Sequence, residues 1–352
     1  MKIGILTHHT VVNYGAFLQA YALQEAIKRL RPDARVEIIN FINPKHAVIN
    51  LAGWYLNSKN IKNYRHWNDV AYLPFKLYRE RHKYMNMSSV CWTADDINKM
   101  GYDTIVVGSD EVWNYNDSHG YHPIKFGVGL NCNNLISYAP GACNINLDAI
   151  PDNIKVGLSR FTHVSARDAS AFRLAEICCK EAPVRVLDPT FLFPLPDIDY
   201  KKKPKTGYIL IYYFNSISAQ TKRKLFSYAK ANNLEIIGAG ESDPQYSRST
   251  VSMSPFEWID LFKNAECVFT GTFHGVVFSL LNNKPFWVCP NNAGRISKIS
   301  SLLEDFGIQD RLIAGDEIDF NSLEPKMDYA SINNKIDELR KISIDYLNSS
   351  LQ

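Results

Sequence analysis

The sequence predicts an α/β protein of two domains, each a doubly wound, Rossmann-like parallel sheet. Three observations predict it. At 352 residues the chain is longer than the roughly 100–200 residues of one ordinary domain. Short apolar runs alternate with stretches of helical periodicity, the order that parallel strands joined by crossover helices require. The alternation is broken once, where Pro194-Leu195-Pro196-Asp197 and Lys201-Lys202-Lys203-Pro204-Lys205 read as an interdomain linker.

Taken in order, Ile3 to Leu6 is a short buried strand that breaks at a polar loop containing Asn13-Tyr14-Gly15. A helix from about Ala16 to Leu30 follows, because Leu18, Ala22, Leu23, Ala26, Ile27 and Leu30 recur at three- and four-residue spacing. Val36 to Ile42 is the next strand and completes a βαβ unit. The pattern returns at Thr104 to Val107 before Gly108-Ser109-Asp110, at Leu135 to Ala139 before Pro140-Gly141, and at His163 to Ser165 before Arg167-Asp168. After the linker it restarts, with strands at Tyr208 to Phe214, Glu235 to Gly238, Cys267 to Thr270 and Pro285 to Val288, and helices at 219–231, 255–263 and 276–281. A last helix is expected from about Ser331 to Leu347.

This reading assigns residues 1–195 to the first domain, 196–206 to the linker and 207–325 to the second domain. Residues 326–352 form a tail that crosses back to the first domain. Two such domains would face each other across a cleft, with ligands beyond the carboxyl ends of the strands. One segment departs from the pattern. Residues 51–90 carry Trp54, Tyr55, Tyr64, Trp67, Tyr72, Phe75, Tyr78 and Tyr84 among Lys62, Arg65, Lys76, Arg79, Arg81 and Lys83. This is either a helical insertion packed on the sheet edge or a surface for sugar rings or anionic lipid headgroups.

Composition narrows the function. With 46% hydrophobic and 21% charged residues, each half can bury a core without disulfides or metal. A net charge of +3 leaves no broad footprint for nucleic acid. The seven cysteines are scattered and contain no CxxC pair, which argues for a reducing cytoplasm and against a zinc site. The apolar start is too short for a signal peptide, and no run reaches a membrane span. The expected location is cytoplasmic, extending to the inner face of the cytoplasmic membrane.

Several residues at strand ends can carry chemistry. His274 sits between a strand and an apolar helix, where helix amides favour an anion; catalysis and a structural cap are equally open from position alone. Arg167 ends a strand and would hold a carboxylate or phosphate, or pair with Asp168 or a neighbouring carboxylate. Arg295 and Lys298 open the helix after Val288, at the end of the sheet where a phosphate would sit. His8, Asn13, Tyr14 and Gly15 suit a sugar, although Asn13 would equally cap the helix and Gly15 serve the turn. His8 and His9 lack a third ligand at usable spacing, so no metal is expected. Asp110 would bind the acceptor sugar or cap a helix, rather than serve as the catalytic base, and Trp113 offers a platform for a pyranose face of the acceptor.

Four stretches together resemble the polysaccharide pyruvyl transferase family: residues 13–24 (NYGAFLQAYALQ), residues 107–114 (VGSDEVWN), residues 187–192 (LDPTFL), and residues 270–279 (TGTFHGVVFS) with Asn283-Lys284-Pro285-Phe286. The resemblance runs from the first strand to about Arg311. It implies a two-domain architecture similar to glycosyltransferase type B. It also implies an enzyme that forms a pyruvate ketal on a galactose- or amino-sugar-containing glycan, free or lipid-linked, of a capsule or exopolysaccharide precursor. Phosphoenolpyruvate would be co-substrate, with no cofactor. By the same resemblance His274 is catalytic, Arg167 holds phosphoenolpyruvate, and the loop with Thr272 and Gly275 lies on the donor side. Thr272 stands where several family members carry an arginine, and Arg295 is the candidate replacement. The alternatives are a glycosyltransferase acting on a sugar nucleotide and a non-catalytic glycan-assembly protein. No GxGxxG follows the first strand, which excludes a dinucleotide oxidoreductase.

Overall fold

The computed structural model describes all residues except 57–66, 203, 205, 213–218, 242, 249, 290–292, 314–319 and 321–325. The described residues form two units. The first comprises Met1–Ala52, Tyr78–Pro194 and Ile336–Gln352; the second comprises Gly53–Leu77 and Leu195–Lys335.

In the first unit the main sheet contains β1 (Lys2–Leu6), β2 (Arg35–Phe41), β3 (Met87–Cys91), β4 (Thr104–Val107) and β5 (Asn134–Ser137). Every pairing is parallel, in the order β3-β2-β1-β4-β5. Ile3, Ile5, Ile105, Val106 and Ile136 are all fully buried. Such near-continuous apolar strands are what a sheet covered on both faces demands. The helix Tyr14–Leu30 follows β1, with the Asn13 side chain accepting from the Ala16 amide at 3.0 Å and Lys28 and Arg29 in its last turn. The expected strand His163 to Ser165 is shorter: β6 (Ser165–Ala166) pairs with β7 (Val184–Arg185), and His163 joins the main sheet by a single bridge to Ile136. The expected strand Leu135 to Ala139 ends at Ser137, and Ala139 already has a positive φ of 51°.

The second unit holds β8 (Tyr208–Tyr212), β9 (Glu235–Gly238), β10 (Cys267–Thr270) and β11 (Phe286–Val288), all parallel, in the order β11-β10-β8-β9. Trp258, Phe262 and Phe278 pack edge to face beside it, with the Trp258 ring centroid 4.7 Å from Phe262 and 5.3 Å from Phe278. Part of the 51–90 segment belongs here, not to the first unit as the sequence order suggests. In the helix Trp67–Tyr84, Val70, Leu73 and Leu77 are buried, and Lys76 Nζ donates to the Ser252 carbonyl at 2.9 Å.

Both sheets share one topological property. Each chain segment lays its first strand (β1, β8), adds neighbours on one side, then crosses to the other side with β4 or β10. The point where the direction reverses leaves a crevice beyond the carboxyl ends of two adjacent strands, the usual ligand position in open α/β sheets. The loops that follow β1 and β4 carry His8 and Asp110, and the helix that follows β10 carries His274 in its first turn.

Candidate active site

At the first unit's reversal, the turn after β4 is built on Gly108, whose φ is +119° and where any Cβ would overlap the Tyr138 carbonyl oxygen. That turn delivers Asp110 beside Arg167. The guanidinium donates from Nη1 to Asp188 Oδ2 at 2.6 Å and from Nη2 to Asp110 Oδ1 at 3.1 Å. Burial works against the charge on Arg167, but Asp188, Asp110 and Asp168 outweigh it and raise the guanidinium further. The Asp188 side chain is 0% exposed and also accepts from the Thr190 amide and hydroxyl at 3.1 and 2.8 Å. Asp168 caps the helix Ala169–Cys178 through the Ala171 amide. The expected alternative for Arg167, pairing with a neighbouring carboxylate, is thus realised with Asp188 and Asp110 and not with Asp168. Of the two carboxylates, Asp110 is the more exposed.

Beside it lies a residue that sequence reasoning missed. Lys125 occupies the short 3-10 turn Pro123–Phe126, whose Ile124 and Phe126 are buried in the core. Its side chain is carried inward with them, and Lys125 is 3% exposed. The ammonium donates to the Gly120 carbonyl at 3.1 Å and lies 3.1 and 3.3 Å from the two ring nitrogens of His8. His46 stacks edge-on against His8 at 5.1 Å between centroids. Burial pulls Lys125 down to about 7, with Asp110 and Asp117 opposing. Burial, then Lys125, holds His8 well below the ordinary imidazole range, and the same two causes bring His46 to about 4.

In the second unit the helix Phe273–Leu281 begins three residues earlier than the periodicity suggests, because the Thr272 hydroxyl caps it by accepting from the Gly275 amide at 3.0 Å. His274 therefore stands inside the first helical turn, 9% exposed. The turn is tight: a Cβ on Gly275 would collide with the Thr270 hydroxyl and come within 2.7 Å of Thr270 Cβ. Thr270 cannot yield easily, since it donates to the Tyr212 carbonyl at 3.1 Å and accepts from the Thr272 amide at 3.1 Å. Gly275→Ala is accordingly expected to destabilise the second unit by about 1–3 kcal/mol, read in urea melts; an unchanged midpoint would refute this account of the turn.

Other expectations are redistributed. Trp113 is not a sugar platform: it is 0% exposed, its indole donates to the Lys125 carbonyl at 3.0 Å, and it packs edge-on against Phe161. Tyr14 and Gly15 are not loop residues, since the helix already starts at Tyr14 and buries both. Asn13 is the helix cap. His9 is buried with Nε2 3.1 Å from Asn40 Oδ1 and falls to about 4 through burial. Lys298 lies half-buried on the helix Ala293–Asp305; the side chain of Arg295 lies outside the described residues, as do Lys62, Tyr64 and Arg65. Arg81 is buried and belongs to no basic surface, whereas Trp67, Tyr72 and Phe75 are exposed, Phe75 at 55%. Among the described residues no cluster suits a metal ion, and no helix is long and apolar enough to cross a membrane.

Among solved structures the chain is similar to a UDP-GlcNAc 2-epimerase from Methanocaldococcus jannaschii, at 12% identity over 96% of this chain and 92% of that one, with a TM-score of 0.49. It is similar to a glycosyltransferase from Streptomyces nogalater at 12% identity over 97% and 95%, with a TM-score of 0.48. A UDP-GlcNAc 2-epimerase from Neisseria meningitidis matches at 8% over 88% and 94%, with a TM-score of 0.45. Among curated proteins no sequence matches. The family model of the polysaccharide pyruvyl transferases matches residues 13–292. With that match spanning most of its length, from the helix cap Asn13 past the His274 turn, the chain belongs to the polysaccharide pyruvyl transferase family, a family of enzymes.

Proposed function

We propose that the protein transfers pyruvate from phosphoenolpyruvate to two hydroxyls of a galactose or amino-sugar unit in a surface-glycan precursor, closing a cyclic ketal. The observation that carries this reading is His274, held in the first turn of a capped helix at the point where the second unit's sheet reverses. An imidazole is suited to give a proton near neutral pH, and helix amides favour an anionic donor beside it. In this mechanism His274 protonates the methylene carbon of phosphoenolpyruvate, leaving an oxocarbenium-like carbon. One sugar hydroxyl adds to that carbon and loses its proton, the bond to phosphate breaks, and the second hydroxyl adds with loss of its own proton. Lys298 and Arg295 are assigned to the phosphate. Arg167 is assigned to the donor carboxylate, which replaces Asp110 on its fork while Asp188 stays.

The test is phosphate release from phosphoenolpyruvate across a panel of free and lipid-linked galactosides and amino-sugar glycosides, with mass spectrometry of the glycan. Sugar-dependent release and a pyruvate ketal on the acceptor are expected. No release with any acceptor, together with hydrolysis or transfer from a sugar nucleotide, would replace this reading with a glycosyltransferase.

A further inference from the structure

Lys125 has no part in the chemistry above, yet its position is costly. A buried lysine kept for structure is normally paired with a carboxylate. Among the described residues none lies within salt-bridge distance of Lys125; its polar partners are the Gly120 carbonyl and His8. The amine reaches both nitrogens of His8 at similar distance, so in its neutral form it can accept from whichever nitrogen carries the proton, leaving the other to take one. His8 is half-buried and Lys125, in contact with it, is buried. Both stand at the reversal of the first sheet, where β1 and β4 adjoin.

We propose that His8 and Lys125 form a proton-accepting pair for the attacking hydroxyl of the acceptor sugar, with His8 meeting the hydroxyl and Lys125 acting through it. This rests on the pyruvyl-transfer reading. The hydroxyl O–H bond breaks as its oxygen bonds to the central carbon of the donor. The proton passes to the His8 ring, a ring proton passes to the Lys125 amine, and the pair goes from neutral to singly cationic. Between turnovers the proton leaves to solvent.

The pair is competent when both members are neutral. Groups facing it are His46 from the helix Pro44–Tyr55, Asp110 from the loop after β4, Asp117 from the turn before Lys125, and His122 and His9 nearby. His9 and His46, at about 4, are uncharged at neutral pH, and burial also lowers His122. Lys125, near 7, is then the member that titrates, so turnover should rise as pH increases through about 7.

The test compares pH profiles of kcat for the native protein, Lys125→Met, His8→Gln and His274→Gln, with thermal melts to establish folding. Lys125→Met and His8→Gln are each expected to lose about 10²-fold or more in kcat. They should also lose the acidic limb near neutrality, with KM for phosphoenolpyruvate little changed. A folded His8→Gln variant with kcat within about threefold of native and an unchanged acidic limb would overturn the pair, and it decides alone if Lys125→Met does not fold. If His274→Gln is inactive while the other two variants turn over normally, the pair falls and pyruvyl transfer stands. If the native protein releases no phosphate from phosphoenolpyruvate with any acceptor, both fall.

Discussion

His274→Gln is expected to lower turnover of phosphoenolpyruvate by about 10²–10⁴-fold while leaving the fold intact. Glutamine keeps a hydrogen-bonding group of similar length in the first turn of the helix Phe273–Leu281 but cannot give a proton to carbon near neutral pH. The Thr272 cap and the Gly275 contact, which set the backbone there, do not involve the imidazole. Donor binding should therefore persist, and the loss should fall on kcat more than on KM. Steady-state phosphate release, with donor affinity measured by calorimetry, checks both halves. Turnover within threefold of native would remove His274 from the chemistry.

The second large effect is one of stability. Arg167→Ala takes the guanidinium from between Asp188 and Asp110, and breaking a buried ion pair by removing one partner costs about 3–5 kcal/mol. For a unit of this size that corresponds to a fall of about 10 °C in its melting transition. The deficit has a signature. It comes from a buried carboxylate stripped of its cation. The double variant Arg167→Met with Asp188→Asn removes both charges and should recover much of the loss. A double variant no more stable than Arg167→Ala would mean that packing, not charge, is what Arg167 contributes.

The architecture was legible because parallel strands covered on both faces leave apolar runs with few interruptions, as at Ile3 to Leu6 and Thr104 to Val107. The order of strands within each sheet was not, because no local residue pattern encodes which side of β1 or β8 a later strand joins. Strand ends located His8, Asp110, Arg167 and His274, since a chemistry-bearing residue after an apolar run is visible in one dimension. Burial misled at Trp113, where an indole beside a polar turn looks like a platform until Phe161 and the Lys125 carbonyl are placed around it. Lys125 itself gave no signal. A lysine between Ile124 and Phe126 reads as the solvent side of an alternation, and only the 3-10 turn rotates it inward. Gly53–Leu77 was assigned by adjacency in sequence, whereas it groups with the second unit, where Lys76 donates to the Ser252 carbonyl.

The first unit is assembled from three separate stretches of chain, and the last of them bonds to both of the others. From the helix Tyr329–Ser350, Tyr346 donates to the Ser137 carbonyl at 2.8 Å, Ser343 accepts from the Leu187 amide at 2.9 Å, and Asn348, with Leu351 just past the helix, takes up Arg31. During vectorial synthesis on the ribosome, β1 to β7 must therefore wait with Tyr138 and Leu187 uncovered until about 150 further residues have been made, at roughly 5–20 residues per second. The unit that emerges first is the one completed last, and a nascent chain stalled after the second unit would carry a finished His274 turn while the first unit still lacked its last helix.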